Sequence, residues 1–277
     1  MDAAEKGNID IVENLIQNGA NVNAEDAWNT TPLHRATLNG HTDVVKYLVE
    51  HGANINFEDK LKRTPLFWAA YKGHTEIVKY LIENRAIVNV EDKNKCTPLY
   101  WAANNGFSEI SKYLVEHGAN LNAENADKET PLHAAIKWGY TEIIKYLVEN
   151  GASVNAENRN KETPLHKAAK KGQTEIVKIL FDKGSNLNAR DKWNETSLHK
   201  AVYNGEIETV KYLVNHGANL TVQNIEGETP RSKAFHLSRQ ELVEFLLEKE
   251  LVESLLEKEK NEKEKTQALR TQKKNNL

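Results

Sequence analysis

The sequence predicts an all-α fold, a solenoid of stacked helix-turn-helix units joined by short β-hairpin turns. Three observations predict it. A Thr-Pro pair recurs with a spacing of 33 residues or twice that value. Each pair opens a short segment with a narrow apolar face that ends at a glycine, and a second apolar segment follows it. These segments are about eight to ten residues long, too short to form stable helices alone in water, so a fixed period of this length indicates stacked repeats.

Each unit begins with the chemistry of a helix start. The pairs begin at Thr31, Thr64, Thr97, Thr130, Thr163 and Thr229. The hydroxyl of Thr163 can cap the free N–H groups of the first turn. Pro164 suits the first helical position, where its missing N–H has no cost. Gly172 then ends the helix, because glycine accepts the left-handed conformation found at helix C-termini. The unit at Thr196 has Ser197 in place of proline and keeps the same frame.

The second helix of each unit is expected to end at another glycine. In the repeat that contains Thr163, it runs from Thr174 to about Lys183, and Gly184 closes it. Arg85 stands in the closing position of its own repeat, where a left-handed conformation costs a non-glycine residue about 1 kcal/mol. We therefore expect the helix end at Arg85 to be the loosest internal one.

The last helix has no stop signal. Glu250 occupies the closing position, and no glycine or proline follows Pro230. The helix is therefore expected to run from Arg239 past Glu250 to about Lys260. Mixed Glu-Lys spacings beyond this point should fray its end.

The recurring Thr-Pro-Leu-His motif resembles that of the ankyrin repeat, a β-turn followed by two antiparallel helices. The best matches begin at Thr31, Thr130 and Thr163. The resemblance implies an ankyrin-repeat α-solenoid over residues 1–250. The expected division is a partial N-terminal repeat at 1–26, six full repeats at 27–59, 60–92, 93–125, 126–158, 159–191 and 192–224, a C-terminal capping repeat at 225–250, and a charged tail at 251–277 that passes from helix to disorder.

Composition limits the compartment and the chemistry. Cys96 is the single cysteine of the 277 residues, which fits a reducing compartment. It lies on a predicted hairpin tip, where we interpret it as an incidental free thiol. No apolar segment is long enough for a membrane helix, and the N-terminus lacks the features of a signal peptide. We expect a cytoplasmic protein with no cofactor.

The ten histidines do not indicate catalysis. Nine of them fall into three positions set by the repeat, which makes a structural role the simplest interpretation. Only His236 lies outside these positions. No metal-binding spacing, phosphate loop or nucleophile arrangement is present. The sequence therefore predicts no enzyme, no catalytic residue and no metal site.

Positions that vary between repeats indicate where a partner binds. In ankyrin-like arrays these are the hairpin tips and the inner face of the first helix, which line a concave surface; we call them the groove positions. All five tryptophans fall on this set, and exposed Trp and Tyr are frequent interface hot spots. The predicted partner-binding residues are Trp28, Arg63, Trp68, Tyr71, Lys72, Trp101, Trp138, Lys167, Lys170, Lys171, Trp193 and Tyr203. For Trp68 and Trp101, packing between repeats is the alternative.

Charge is concentrated on the same positions. In one repeat they are Arg159, Asn160, Lys161, Glu162, Lys167, Lys170 and Lys171. Over the six full repeats they sum to +12, whereas the whole chain carries −3. A basic surface with aromatic side chains should attract an acidic partner. The alternative explanation for this charge difference is that the second helices simply carry Glu at fixed positions of the repeat.

The sequence therefore predicts a non-catalytic protein-interaction scaffold, monomeric, with a partner protein that has an acidic surface. The alternative is a groove that binds nucleic acid through lysines and stacked tryptophans. It is disfavoured because the resemblance implies protein ligands and because only 8 of the 37 basic residues are arginine. Lys- and Asn-rich, Arg-poor usage is typical of AT-rich genomes. With the repeats it is similar to proteins of intracellular bacteria or their phages, and a host-directed effector would follow.

Overall fold

The computed structural model of the protein describes residues 1–275, with side chains to residue 265. Sixteen α-helices and no β-strand occur in this part of the chain, which confirms the all-α helix-turn-helix architecture. The described chain divides into two compact units. The first unit comprises residues 1–167 and 178–185, and the second comprises residues 168–177 and those from 186 onward.

Odd- and even-numbered helices alternate as the first and second helices of the repeats. The first helices are α1 (Asp2–Lys6), α3 (Pro32–Leu38), α5 (Pro65–Lys72), α7 (Pro98–Asn105), α9 (Pro131–Trp138), α11 (Pro164–Lys170), α13 (Ser197–Asn204) and α15 (Pro230–His236). The second helices are α2 (Ile9–Gln17), α4 (Thr42–Glu50), α6 (Thr75–Glu83), α8 (Ser108–Glu116), α10 (Thr141–Glu149), α12 (Thr174–Asp182), α14 (Ile207–Asn215) and α16 (Gln240–Asn275).

The motif histidines join the start of a first helix to the next hairpin. The Nδ1 atom of His34 accepts a hydrogen bond from the backbone N–H of Thr31 at 3.2 Å. Since an N–H can only donate, the proton of the neutral ring sits on Nε2, which donates to the carbonyl oxygen of Arg63 at 3.0 Å. His133 and His199 make the same contacts in their own repeats. These histidines therefore link neighbouring repeats within each unit.

A second class of histidine lies over the glycine that ends a first helix. His74 Nε2 bonds the carbonyl oxygen of Leu38 at 3.2 Å. A Cβ atom built on Gly40 would lie 2.7 Å from the His74 ring. Gly40 has a φ of 77°, so both its conformation and the close approach of the ring require glycine there.

The apolar faces of the helices form the core. Leu66, Ala69 and Ala70 of α5 are fully buried, as are Val78 and Leu81 of α6. The small alanines let the first helices of adjacent repeats approach closely, and α3, α5, α7 and α9 contact one another in sequence. In the second unit, α13 contacts α14 and α15.

Arg85 adopts the left-handed conformation that the repeat demands, with a φ of 71°. The sequence predicted this strain from the glycines at the equivalent positions. Gly52 and Gly118, which close the neighbouring second helices, have φ values of 87° and 85°.

Each repeat begins with a tight hairpin built on an Asp or Asn. In the hairpin at Asp59, the Asp59 N–H donates to the Arg63 carbonyl oxygen at 3.0 Å, and the Lys62 N–H donates to the Asp59 carbonyl oxygen at 2.8 Å. The Asp59 carboxylate accepts from the N–H groups of Leu61 and Arg63. The third residue of this loop, Lys62, is left-handed with a φ of 60°, as is common in three-residue hairpin loops.

The final helix continues past Glu250 without a break, as the absence of glycine and proline predicts. It ends at Asn275 rather than near Lys260. Leu242 and Leu246 are buried near its start, and Glu250 bonds Arg231 of α15 at 2.7 Å.

Cys96 lies in the stem of its hairpin rather than at an exposed tip. Its side chain is 5% exposed and packs with Tyr100 and Ala134. Burial raises the pKa of the thiol to about 12, and the Asp92 carboxylate adds to the shift. The thiol is therefore part of the core.

Candidate partner-binding surface

In the first unit, two tryptophans border a cavity of about 230 Å³. Trp28 is 66% exposed at a hairpin tip, and the Lys60 ammonium lies 6.0 Å from its ring centre. Trp68 is half-buried, and the Arg63 guanidinium stacks 4.2 Å from its ring centre. The Asp59 carboxylate bonds this guanidinium at 2.7 Å. The cavity is therefore mainly apolar, with cations at its edge.

An aromatic cluster extends from Trp68 along the first helices. It comprises Phe67, Trp68, Tyr71, Tyr100 and Trp101. The ring centres of Tyr71 and Trp101 are 5.0 Å apart, and the two ring planes are nearly perpendicular. Aromatic pairs prefer this edge-to-face arrangement. Trp101 contacts Phe67 and Tyr71 of the preceding repeat, so it packs between repeats, the alternative left open by the sequence. Lys72 is exposed beside Tyr71.

Trp138 and Lys167 differ in how freely they meet solvent. Trp138 is 57% exposed, and its indole N–H donates to Asn104 at 3.3 Å. Lys167 is half-buried, and its ammonium bonds Glu129 at 2.5 Å. Burial raises the pKa of Glu129, but the hydrogen bond and the positive charge of Lys167, with smaller contributions from other neighbours, together outweigh burial and lower that pKa. The Trp138 ring is therefore accessible to a partner, whereas the Lys167 ammonium is already paired with Glu129.

In the second unit, Trp193 stands between two lysines. Its ring centre lies 4.3 Å from the Lys192 ammonium and 4.8 Å from the Lys200 ammonium. Tyr203 is 53% exposed, with the Lys233 ammonium 5.3 Å from its ring centre. The side chains of Lys170 and Lys171 are also exposed.

A buried ion network lies beneath Trp193. Lys200 bonds Asp191 at 2.6 Å and Glu195 at 2.7 Å, and Lys233 also bonds Glu195. Burial would raise the pKa of Glu195, but the two lysines hold it at about 2. Lys200 occupies a groove position, yet it is only 8% exposed. The charge of Lys200 is therefore neutralised by ion pairs within the fold.

The basic character expected of the groove positions is partly cancelled in the same way. Arg35 bonds Asp26 at 2.7 Å, as Arg63 bonds Asp59. The hydrogen bonds from Arg35, Thr30 and Trp28 outweigh the effect of burial and lower the pKa of Asp26 to about 2. These acids belong to the hairpin bases, which the sequence sum of groove positions did not include.

The left-handed residue of each hairpin is one of the groove positions, but it is not among the partner-binding residues predicted from the sequence. Lysine occupies it four times, at Lys62, Lys95, Lys128 and Lys161, with φ values of 57–60°. A non-glycine residue in this conformation costs roughly 1 kcal/mol. The signal is visible in the sequence as lysines spaced by 33 residues, but their conformation is not.

A third class of histidine lies just after the second helices. His51, His117 and His216 each stack on a tyrosine of the helix that they follow, with ring centres 3.9–4.0 Å apart. In the described residues, no group of three or more His, Cys, Asp or Glu side chains could hold a metal ion. Within the same residues, no helix has both the length and the apolar character needed to cross a membrane.

Comparison with known proteins gives the class of this helix-turn-helix repeat protein. A family model for ankyrin repeats (3 copies) matches residues 1–92, 86–158, 122–191 and 152–224. The crystal structure of the human ASB11 ankyrin repeat domain is similar, with a TM-score of 0.69 and 29% identity, covering 79% of this chain and 97% of that chain. A search of curated protein sequences gives no significant match. The chain belongs to the ankyrin repeat family, whose repeats are general protein–protein interaction modules and typically non-catalytic.

Proposed function

We propose that this protein is a non-catalytic scaffold that binds a partner protein with an acidic surface. The supporting observation is the pairing of an aromatic ring with a lysine at four places on the groove positions. The pairs are Trp28 with Lys60, Tyr71 with Lys72, Trp138 with Lys137, and Trp193 with Lys192, with ammonium-to-ring distances of 4.3–6.0 Å. Each pair offers a large apolar surface beside a positive charge, which suits an acidic patch that contains exposed apolar side chains.

The proposed contact residues are those expected from the sequence, with different roles. Trp28, Lys72, Trp138, Lys170, Lys171, Trp193 and Tyr203 provide exposed contacts. A preformed aromatic surface is provided by Trp68, Tyr71 and Trp101, with Arg63 stacked on Trp68. Lys167 is proposed to contact the partner through its alkyl chain, since Glu129 already binds its ammonium.

A nucleic-acid ligand is the alternative, because lysines beside stacked aromatics also suit single strands. Salt dependence separates the two ligands: affinity for a nucleic acid should fall steeply as salt rises. We further propose that the protein acts in the cytoplasm as a monomer, with residues 1–250 as the repeat domain and 251–277 as a charged tail. The lysine-rich, arginine-poor composition supports a host-directed effector of an intracellular bacterium.

Affinity capture from host lysate, followed by mass spectrometry, tests the proposal. The triple variant Trp28→Ala, Trp138→Ala, Tyr203→Ala should lose captured proteins that the unmodified chain retains. The matched control is Ile87→Ala with Leu251→Ala, which removes exposed apolar side chains outside the groove positions and should retain them. Loss in both variants, or in neither, would contradict binding at the groove positions.

A further inference from the structure

Four successive hairpins of the first unit present a lysine at the same position. Lys62, Lys95, Lys128 and Lys161, here called the lysine row, are all exposed. Among the described residues, none of the four ammonium groups takes part in an ion pair or a cation–π contact. Their charges therefore remain available, unlike those of Arg63, Lys167 and Lys200.

The fold does not account for these lysines. All four are left-handed, a conformation that glycine and asparagine tolerate better than lysine. The chain uses those residues at the same position of its other hairpins, namely Asn29, Asn194 and Gly227, with φ values of 56°, 57° and 77°. Lysine at four of seven equivalent sites is thus locally unfavourable, which indicates a role outside folding.

Hydrogen bonds between hairpins fix the spacing of the row. The Lys93 N–H donates to the Leu61 carbonyl oxygen at 3.0 Å, and the Arg159 N–H donates to the Asp127 carbonyl oxygen at 2.9 Å. Each hairpin contributes two chain segments at a spacing of about 4.8 Å, so equivalent residues of adjacent repeats lie about 10 Å apart. The row is therefore a regular line of four cations on a hydrogen-bonded backbone.

We propose that the lysine row binds an extended acidic segment of the partner protein, with a carboxylate at every third residue. A polyproline II segment has three residues per turn and rises about 3.1 Å per residue, so every third side chain faces one side at intervals of about 9 Å. That interval matches the spacing of the row. The inference rests on the proposed function and specifies the chemistry of the partner.

Two features of the same hairpins favour a peptide in direct contact. Residues beside the row are Leu61, Asn94, Asp127 and Asn160, so the aromatic platforms that single-stranded nucleic acids use are absent there. Glu58, Glu91, Glu124 and Glu157 precede the tips at the same interval. They weaken the positive field at a distance, so attraction should depend on close contact with the lysines.

Fluorescence titration with a labelled peptide of about twelve residues, with Glu at every third position, tests the inference. The quadruple variant Lys62→Asn, Lys95→Asn, Lys128→Asn, Lys161→Asn should bind it about tenfold more weakly or worse, given four lost surface ion pairs. Its melting temperature should be unchanged or higher, because asparagine suits the left-handed site. The matched quadruple Lys→Arg variant keeps the charge and should keep the affinity.

Several outcomes would overturn the inference. The first is that the asparagine variant binds the peptide as tightly as the unmodified chain does. The second is that the unmodified chain does not prefer this peptide over one with its glutamates clustered. The third is that an oligothymidylate of similar length binds more tightly than the peptide and with a strong salt dependence. If captured partners are lost with the triple aromatic variant but not with the asparagine variant, the proposed function stands and the lysine row is not its contact. Retention with both variants would contradict the proposed function itself.

Discussion

At the scale of single residues, the motif histidines make folding sensitive to acid. Burial lowers the pKa of His34, His133 and His199 below the ordinary value of 6.5, for His133 to about 4. A proton on Nδ1 would also face the N–H group that now donates to it. The unfolded chain therefore binds more protons than the folded chain below about pH 6.5.

We predict that the free energy of unfolding falls as pH drops from about 6.5 toward 4, by up to about 1.4 kcal/mol per pH unit for each histidine. Urea denaturation across this range measures it. His133→Phe, which copies Phe67 at the same repeat position, should make the dependence shallower. An unchanged slope would contradict the role given to His133. Asp26 and Glu195, with pKa values of about 2, lose their contribution only at lower pH.

Cys96 should react slowly while the protein is folded. Burial raises its pKa from 9.0 to about 12, and the thiolate is the reactive form. We predict that a disulfide reagent labels the native protein about 1000-fold more slowly than the denatured chain, in line with the loss of thiolate. Labelling at similar rates would show that the hairpin stem opens readily.

At the scale of one secondary-structure element, Arg85 and Gly118 form a matched pair of helix ends. Both residues are left-handed, and a Cβ atom on Gly118 would meet nothing within 4 Å, so conformation alone separates them. Arg85→Gly should stabilise the protein by roughly 0.5–1 kcal/mol, and Gly118→Arg should destabilise it by about as much. Chemical denaturation measures both. Destabilisation by Arg85→Gly would mean that the arginine side chain makes a compensating contact.

The final helix gives a second prediction at this scale. Leu251 and Leu255 are 57% and 60% exposed, so the part beyond Glu250 has little packing to protect it. Amide exchange should show protection that continues past Lys249 and declines gradually toward the end of the helix. Protection that stops sharply at Lys249 would contradict a continuous α16.

The elements were predictable because each has a local chemical signal. Thr163 and Pro164 predict a helix start, and the glycine pattern predicts the conformation of Arg85. The pairing of Lys167 with Glu129 was not predictable, since it joins residues 38 positions apart that no local rule connects. The burial of Cys96 likewise depends on Tyr100 and a neighbouring repeat. The helix α16 is longer than the sequence predicts: mixed Glu-Lys spacing predicts fraying, but no helix-breaking residue occurs there.

At the scale of the whole molecule, stability is a sum over repeats and the interfaces of neighbours. We predict that deletion of residues 192–277 leaves helical circular dichroism in the remaining repeats, with a melting temperature lower by several degrees. Thermal melts of the full and shortened chains measure it. Complete loss of helical signal would contradict repeat-by-repeat stabilisation.

We propose that binding resides in side chains that folding does not require. The most direct test measures the affinity for a captured partner and the melting temperature of the same triple variant, Trp28→Ala, Trp138→Ala, Tyr203→Ala. Because all three rings are more than half exposed, the melting temperature should change by no more than about 2 °C. The affinity should fall tenfold or more, because about 1–2 kcal/mol of binding free energy is expected to be lost at each hot spot. Unchanged affinity, measured by calorimetry, would place the interface elsewhere on the protein.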